Sequence, residues 1–368
     1  MNKINNEFEY LLHLLGSVLK DEKPRELPKE VSFERLFALA DEHSLANMAF
    51  YAVERLENKP DPELLRRWET VRDRGIVTDM TQLSELELIK SAFSERKIRT
   101  LPLKGSVLKS MYPQSDMRTM SDIDILIDEE NAPEAREIML SLGYENEHFG
   151  IDVDDLYVKP PVMNVEIHRE LFGEIGKEFR ESFADPWKLC VWSEDYVKEL
   201  PPEEFLAYVI AHAIKHYNRG GTGIRSFLDI WVYLDKTPGL DMGRMLDMLR
   251  PAGQAELAED LIRLSRIWFG GEEGSEKYDE MTRYILSGGT YGTMENLVDN
   301  KISEYGRWGY LFHLLFPSMS YMKLMYPAVK KAPFLYPVFW LVRLVTKPFI
   351  NGRENLEKLK GIMGRNRS

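Results

Sequence analysis

Asp122 and Asp124 stand two residues apart in the apolar run Ser121-Asp122-Ile123-Asp124-Ile125-Leu126-Ile127. In a strand that spacing puts both carboxylates on one face and Ile123, Ile125 and Ile127 on the other. The isoleucines can anchor in a core while the carboxylates converge where a hard cation such as Mg²⁺ would bridge them to substrate phosphates. Upstream, Leu103-Lys104-Gly105-Ser106 offers a glycine without a Cβ and a small hydroxyl, which let backbone N–H groups approach a phosphate at a strand-to-helix turn. Downstream, the strand-like Val162-Met163-Asn164-Val165-Glu166-Ile167 offers a third carboxylate, Glu166, on a face shared with Asn164 and His168. A bare Asp-x-Asp suits an edge strand with its charges in water equally well, and the Lys-Gly-Ser and Glu166 context favours a metal site. Because the paired carboxylates repel each other, removing either one is expected to leave the apo fold intact.

Two cations lie close by in sequence. Lys104 would meet a triphosphate as a point charge, and Arg118 as a fork gripping two oxygens. Further on, His212 and His216 sit four apart on one helix face, with Asp229 on the next helix. That spacing can bind a metal. The intervening Ala213-Ile214-Lys215 lacks the glutamate of a His-Glu-x-x-His protease helix. The histidines could equally hydrogen-bond within a helix interface or, with Lys215, Arg219 and Arg225, form a wall of a substrate cleft.

Leu103-Lys104-Gly105, then Tyr112-Pro113, Arg118 and Ser121-Asp122-Ile123-Asp124, resemble the polymerase beta-like nucleotidyltransferase superfamily. Within it they are most similar to the fifth nucleotidyltransferase family, a group of uncharacterised bacterial proteins. The likeness is strongest over residues 98–170 and continues to His212, His216, Arg225 and Asp229. It implies an enzyme that moves a nucleoside monophosphate from an NTP to an acceptor and releases pyrophosphate. Asp122 and Asp124 would hold one Mg²⁺ on the triphosphate, and Asp124 with Glu166 a second that activates the acceptor hydroxyl. Lys104, Gly105, Ser106, Arg118 and Ser121 would contact the nucleotide, with His168 beside Glu166. A kinase-like phosphotransferase using the same carboxylates, and a nucleotide-binding module without turnover, remain as alternatives.

The elements that must position these residues read as an α+β chain: a small mixed-sheet module inserted between all-helical N-terminal and C-terminal regions. Apolar positions recur at helical spacing over 5–20, 33–57 and 63–96, where Leu83, Leu86, Leu88, Ile89 and Phe93 form a stripe. Short strands at 100–103, 121–128, 144–148, 156–159 and 162–168 enclose helices at 106–111 and 132–142. Helical spacing returns at 203–217 and 224–234, and the segments 270–274 and 287–290 read as exposed loops. The divisions are 1–97, a helical region; 98–190, the nucleotidyltransferase-like module; 191–320, a helical domain; and 321–368, a basic, aromatic-rich extension.

Composition is that of a globular protein, with 44% hydrophobic and 29% charged residues. The single cysteine, Cys190, excludes an internal disulfide and suits a reducing cytoplasm, as does an N-terminus without a signal pattern. Net charge is −12, yet residues 323–368 hold ten Lys or Arg against two Glu, leaving −20 for the remainder. So acidic a body argues against long nucleic acid as a partner and toward a small molecule or protein side chain as acceptor. The basic end, with Phe334, Tyr336, Phe339 and Trp340, has the mix of an interfacial segment able to touch an anionic surface. The competing expectation, preferred here, is a helical hairpin that buries those aromatics against the body.

Overall fold

The computed structural model of the chain describes residues 5–350 except 152, 162 and 291. Its helices begin where the sequence supplies caps. Asn5 accepts the Glu7 N–H at the start of α1 (Asn6–Leu19), and Ser32 accepts the Arg35 N–H at α2 (Phe33–Glu42). The helix expected to continue to residue 57 breaks at Ser44, whose φ of 55° is left-handed, and resumes as α3 (Ala46–Val53). The break lets the Ser44 and Thr290 hydroxyls meet at 3.2 Å. Asp61 caps α4 (Pro62–Glu95), with Pro62 in the first turn where no N–H is missed. Leu86, Ile89 and Phe93 of α4 are buried, whereas Leu83 and Leu88 are exposed. The narrower stripe reflects the 100° step per residue, which turns Leu88 away once Ile89 faces inward.

A mixed five-stranded sheet follows, in spatial order β1-β2-β5-β4-β3: β1 (Leu101–Pro102), β2 (Ile123–Leu126), β3 (Glu145–His148), β4 (Asp154–Lys159) and β5 (Met163–His168). Only β2 and β5 run parallel, and their register sets Asp124 beside Glu166 and Leu126 beside His168. Ile123, Ile125 and Ile127 are fully buried in a core shared with the end of α4 and with α6 (Ala132–Ser141). Between β1 and β2 the chain makes the short helix α5 (Gly105–Leu108) and a loop held onto α4 by a buried Lys109–Asp79 ion pair. Helix α7 (Pro186–Leu189) then leads into a hairpin of β6 (Val191–Glu194) and β7 (Val197–Glu199), where the sequence reading began a helical domain. Val197 bridges to Thr100, so the hairpin extends the strand entering the site.

Helices α8 (Pro202–Tyr217) and α9 (Ile224–Lys236) face the carboxylates, and α10 (Met242–Leu249) and α11 (Ala255–Phe269) pack against them. Their core is continuous with that of the N-terminal helices: Phe8 packs edge-on to Trp268 at 5.1 Å, and Leu101, Leu108 and Leu126 belong to the same cluster. The sheet is thus clamped between two parts of the chain that themselves join.

Beyond α12 (Glu276–Gly288), the segment Ser287-Gly288-Gly289-Thr290 is not the exposed loop expected. Gly288 and Gly289 are buried, because without side chains they can approach the 220–223 turn, with Gly221 Cα 3.2 Å from where a Gly288 Cβ would stand. Helix α13 (Met294–Leu315) is interrupted at Gly306 (φ 68°, ψ 163°), and α14 (Met319–Met325), α15 (Pro327–Lys331) and α16 (Tyr336–Ile350) complete the described chain. Of the aromatics expected to bury here, Trp340 stacks on Phe316, Phe339 meets Tyr326, and Tyr336 donates to the Pro317 carbonyl. Phe334 does not bury: it is 80% exposed, projecting from the turn into α16. Residues 351–368 of the basic extension lie outside the described residues. Among the described residues no helix is long and apolar enough to cross a membrane.

Candidate active site

The pairing of β1 with β2 runs one residue past the strand, as the Leu103 N–H donates to the Asp124 carbonyl at 3.0 Å. Lys104 follows at φ 45°, ψ −114°, a left-handed conformation uncommon for a residue with a Cβ. The turn sends its side chain to Asp124, with Nζ 2.7 Å from Oδ1. On the other side His168 Nε2 lies 2.8 Å from the same oxygen and 3.4 Å from Glu166 Oε2. Donor atoms of Asp124, Glu166 and His168 all fall within 4.8 Å of one another. This set, rich in hard oxygen donors and adjoined by Asp122, fits a divalent cation such as Mg²⁺. The buried His168 Nδ1 has no hydrogen-bond partner among the described residues.

Burial by itself would raise the Asp124 pKa. The Lys104 ammonium and the His168 hydrogen bond outweigh it and hold the carboxyl well below the usual range. Asp122 goes the other way: burial, then the charges of Asp124 and Glu166, push it up to about 6. One carboxylate of the pair is therefore satisfied by protein and the other is not. Lys104, despite burial, is held protonated by Asp124.

These groups open into a cavity of about 360 Å³ between the sheet and α8 and α9. Lys104, Gly105, Arg118, Ser121, Asp122, Asp124, Glu166, His168, His212, His216, Arg225 and Asp229, singled out from sequence, all line it. Ser106 does not line it, and its buried Oγ has no hydrogen-bond partner among the described residues. A Cβ added at Gly105 would stand 2.6 Å from Arg118 Nη1 and nearer still to Met120 Sδ, so both side chains would have to shift.

Arg118 grips a side chain. Its Nη2 and Nε donate to the two oxygens of Asp229 at 2.8 and 3.2 Å, its Nη1 donates to the Thr119 carbonyl, and Tyr112 donates to Asp229 at 2.7 Å. This network ties the loop before β2 to α9. Arg225 Nη1 also donates to the Thr119 carbonyl at 3.1 Å. The His212 and His216 rings meet at 4.6 Å, tilted 59° to each other. Burial, then Lys104 and Lys215, keep His212 neutral, and burial followed by Lys215 takes His216 down to about 3.

Lys215 deserves more weight than its place beside the histidines gave it. It lines the cavity without an ion-pair partner among the described residues, and burial followed by Lys104 lowers its pKa to about 8. Its position three residues after His212 was the available signal, since i and i+3 share a helix face. Asp154, Thr222, Ser226 and Thr290 also line the cavity and were not anticipated. Thr290 arrives from a distant loop through the glycine approach at 288–289, which no local pattern announces.

A family profile described as uncharacterised nucleotidyltransferase matches residues 29–270. The chain belongs to this family. The match spans α2–α4, the sheet and α8–α11 and so takes in the whole cavity apart from Thr290. No curated protein matches this family member. Among solved structures it is similar to the antibiotic-resistance factor ANT(2'')-Ia, at 16% identity over 56% of this chain and 97% of that one, with a TM-score of 0.29.

Proposed function

We propose that the cavity binds an NTP and transfers its nucleoside monophosphate to an acceptor hydroxyl or phosphate, releasing pyrophosphate. The observation that carries this reading is the β2–β5 register, which sets Asp124 beside Glu166 with Asp122 at the rim of the same cavity. Nucleotidyl transfer asks little covalent chemistry of a protein: charge on the triphosphate must be neutralised and the attacking and leaving oxygens aligned. Asp122, Asp124 and Glu166 would hold one or two Mg²⁺ ions, which when bound supply that neutralisation and acidify an acceptor hydroxyl.

The remaining work falls to the chain itself. Lys104 and His168 fix the Asp124 carboxylate in one orientation from two sides, while the elevated pKa of Asp122 makes it the group that gains most from an added cation. Lys215, mostly protonated at neutral pH and unpaired among the described residues, offers an ammonium to the phosphates from the opposite wall, with Arg225. Arg118 serves as the brace that keeps Gly105 and the β2 loop against α9. Glu166, half-buried, accepts the acceptor proton. The acidic body favours a small molecule or a protein side chain over long nucleic acid as acceptor, and the single cysteine suits the cytoplasm. Incubation with each NTP and Mg²⁺ tests the reading: pyrophosphate supports it, whereas nucleoside diphosphate points to transfer of the γ-phosphate instead.

A further inference from the structure

After the break at Gly306, the chain forms an arm whose polarity is reversed. Residues 305–350 contain six Lys or Arg and neither Asp nor Glu. In α16, Val338, Leu341, Val342 and Val345 are 55%, 58%, 40% and 65% exposed, while Arg343 is buried, donating to the Leu314 carbonyl at 3.0 Å. A helix packed on a protein core would do the opposite. The last turns of α13 carry a second apolar stripe, with Trp308 81% and Phe312 60% exposed. The two helices touch where Trp340 stacks on Phe316 and donates to the Leu315 carbonyl. Beside this face stand Phe334 and the exposed Lys330 and Lys331.

Large apolar side chains presented together to solvent mark an interaction site. We infer that this arm docks on the surface of an anionic lipid bilayer, its apolar faces entering the interface and its lysines meeting the headgroups. Charge decides the occupant. An arm without a carboxylate has nothing to pair with the lysines of a second copy in a two-fold contact, whereas anionic headgroups complement them. Among the described residues no helix is long and apolar enough to span, and α16 exposes Val338, Leu341 and Val345 along one side, the pattern of a helix lying in the interface plane. The body, at −20 outside residues 323–368, is repelled by the same surface, so the active-site region stays in water while the arm anchors it.

The test is co-sedimentation of the full chain with phosphatidylglycerol or phosphatidylcholine vesicles, together with its concentration-dependent mass without lipid. Wild-type protein is expected to bind phosphatidylglycerol and not phosphatidylcholine, and to release as salt is raised. Lys330→Glu with Lys331→Glu should weaken binding on the order of tenfold or more, because each cation near such a surface contributes substantially. Phe334→Ser with Leu341→Ser and Val345→Ser should abolish binding without lowering the melting temperature, since all three side chains are exposed. Absence of binding to phosphatidylglycerol, or binding unchanged in both variants, overturns the inference. So does a wild-type dimer that the serine variant dissociates while neither binds vesicles, which would make a second copy the occupant. Nucleotide turnover is read separately and does not enter these outcomes.

Discussion

Replacing Asp122 by Asn should make the metal-free protein more stable while removing its Mg²⁺-dependent nucleotide chemistry. Burial and the charges of Asp124 and Glu166 raise the folded-state pKa of Asp122 from 3.8 to about 6. Each unit corresponds to roughly 1.4 kcal/mol, and access of solvent to the rim reduces the total, so the ionised carboxylate costs the apo fold on the order of 2 kcal/mol. The sign follows from the direction of the shift. Below the unfolded-state value both states are protonated and the cost is absent; it grows as pH rises from the unfolded-state to the folded-state value and is complete above the latter. Melting curves of wild type and Asp122→Asn in chelator between pH 4 and pH 8 should lie closest at the acid end, separate as pH rises from 4 to about 6, and keep a constant difference of a few degrees above that. A variant less stable than wild type at neutral pH, or a difference independent of pH, would refute the electrostatic account of the site.

Asp124→Ala should behave oppositely, losing about 3 kcal/mol of apo stability in denaturant titrations, because Lys104 and His168 lose their common buried partner. Glu166→Gln should lower the turnover rate on the order of a hundredfold or more while NTP affinity, measured calorimetrically, changes little. Gly105→Ala should cost about 1–3 kcal/mol of stability, since the new methyl collides with Met120 and the Arg118 brace; a neutral effect in the same titration would mean that the brace can move aside. Lys215→Met should weaken NTP binding roughly tenfold at neutral pH, the value expected for one charge-assisted contact. That penalty should shrink as pH rises through about 8, where the wild-type ammonium is lost.

The sequence made the carboxylate site legible because a strand repeats every two residues: once Asp122 and Asp124 were assigned to one face, Ile123, Ile125 and Ile127 had to be core, and they are fully buried. The family, and an α+β fold holding a mixed sheet, were likewise readable from Leu-Lys-Gly and the Asp-x-Asp pair. What could not be read is the pairing of charges across distant elements. Asp122 and Asp124 looked interchangeable, a repelling pair of which either could be removed; the fold gives Asp124 the Lys104 ammonium and a His168 hydrogen bond, while burial and neighbouring carboxylates dominate at Asp122. Arg118 looked like a phosphate fork, and nothing local showed that Asp229, more than a hundred residues away, would fill it. The arm after Gly306 misled for a related reason: aromatic spacing marks an apolar face but not whether that face turns toward protein, and Phe334 turns away.

Wild-type and Glu166→Gln proteins, supplied with Mg²⁺ and NTPs labelled at either the α- or the γ-phosphate in the presence of candidate small-molecule and protein acceptors, give the most direct measurement of nucleotidyl transfer. With wild type, the α-label should appear on an acceptor and the γ-label in pyrophosphate, and both products should fall together in the variant. Appearance of the γ-label on the acceptor, with the α-label left in nucleoside diphosphate, would contradict the account.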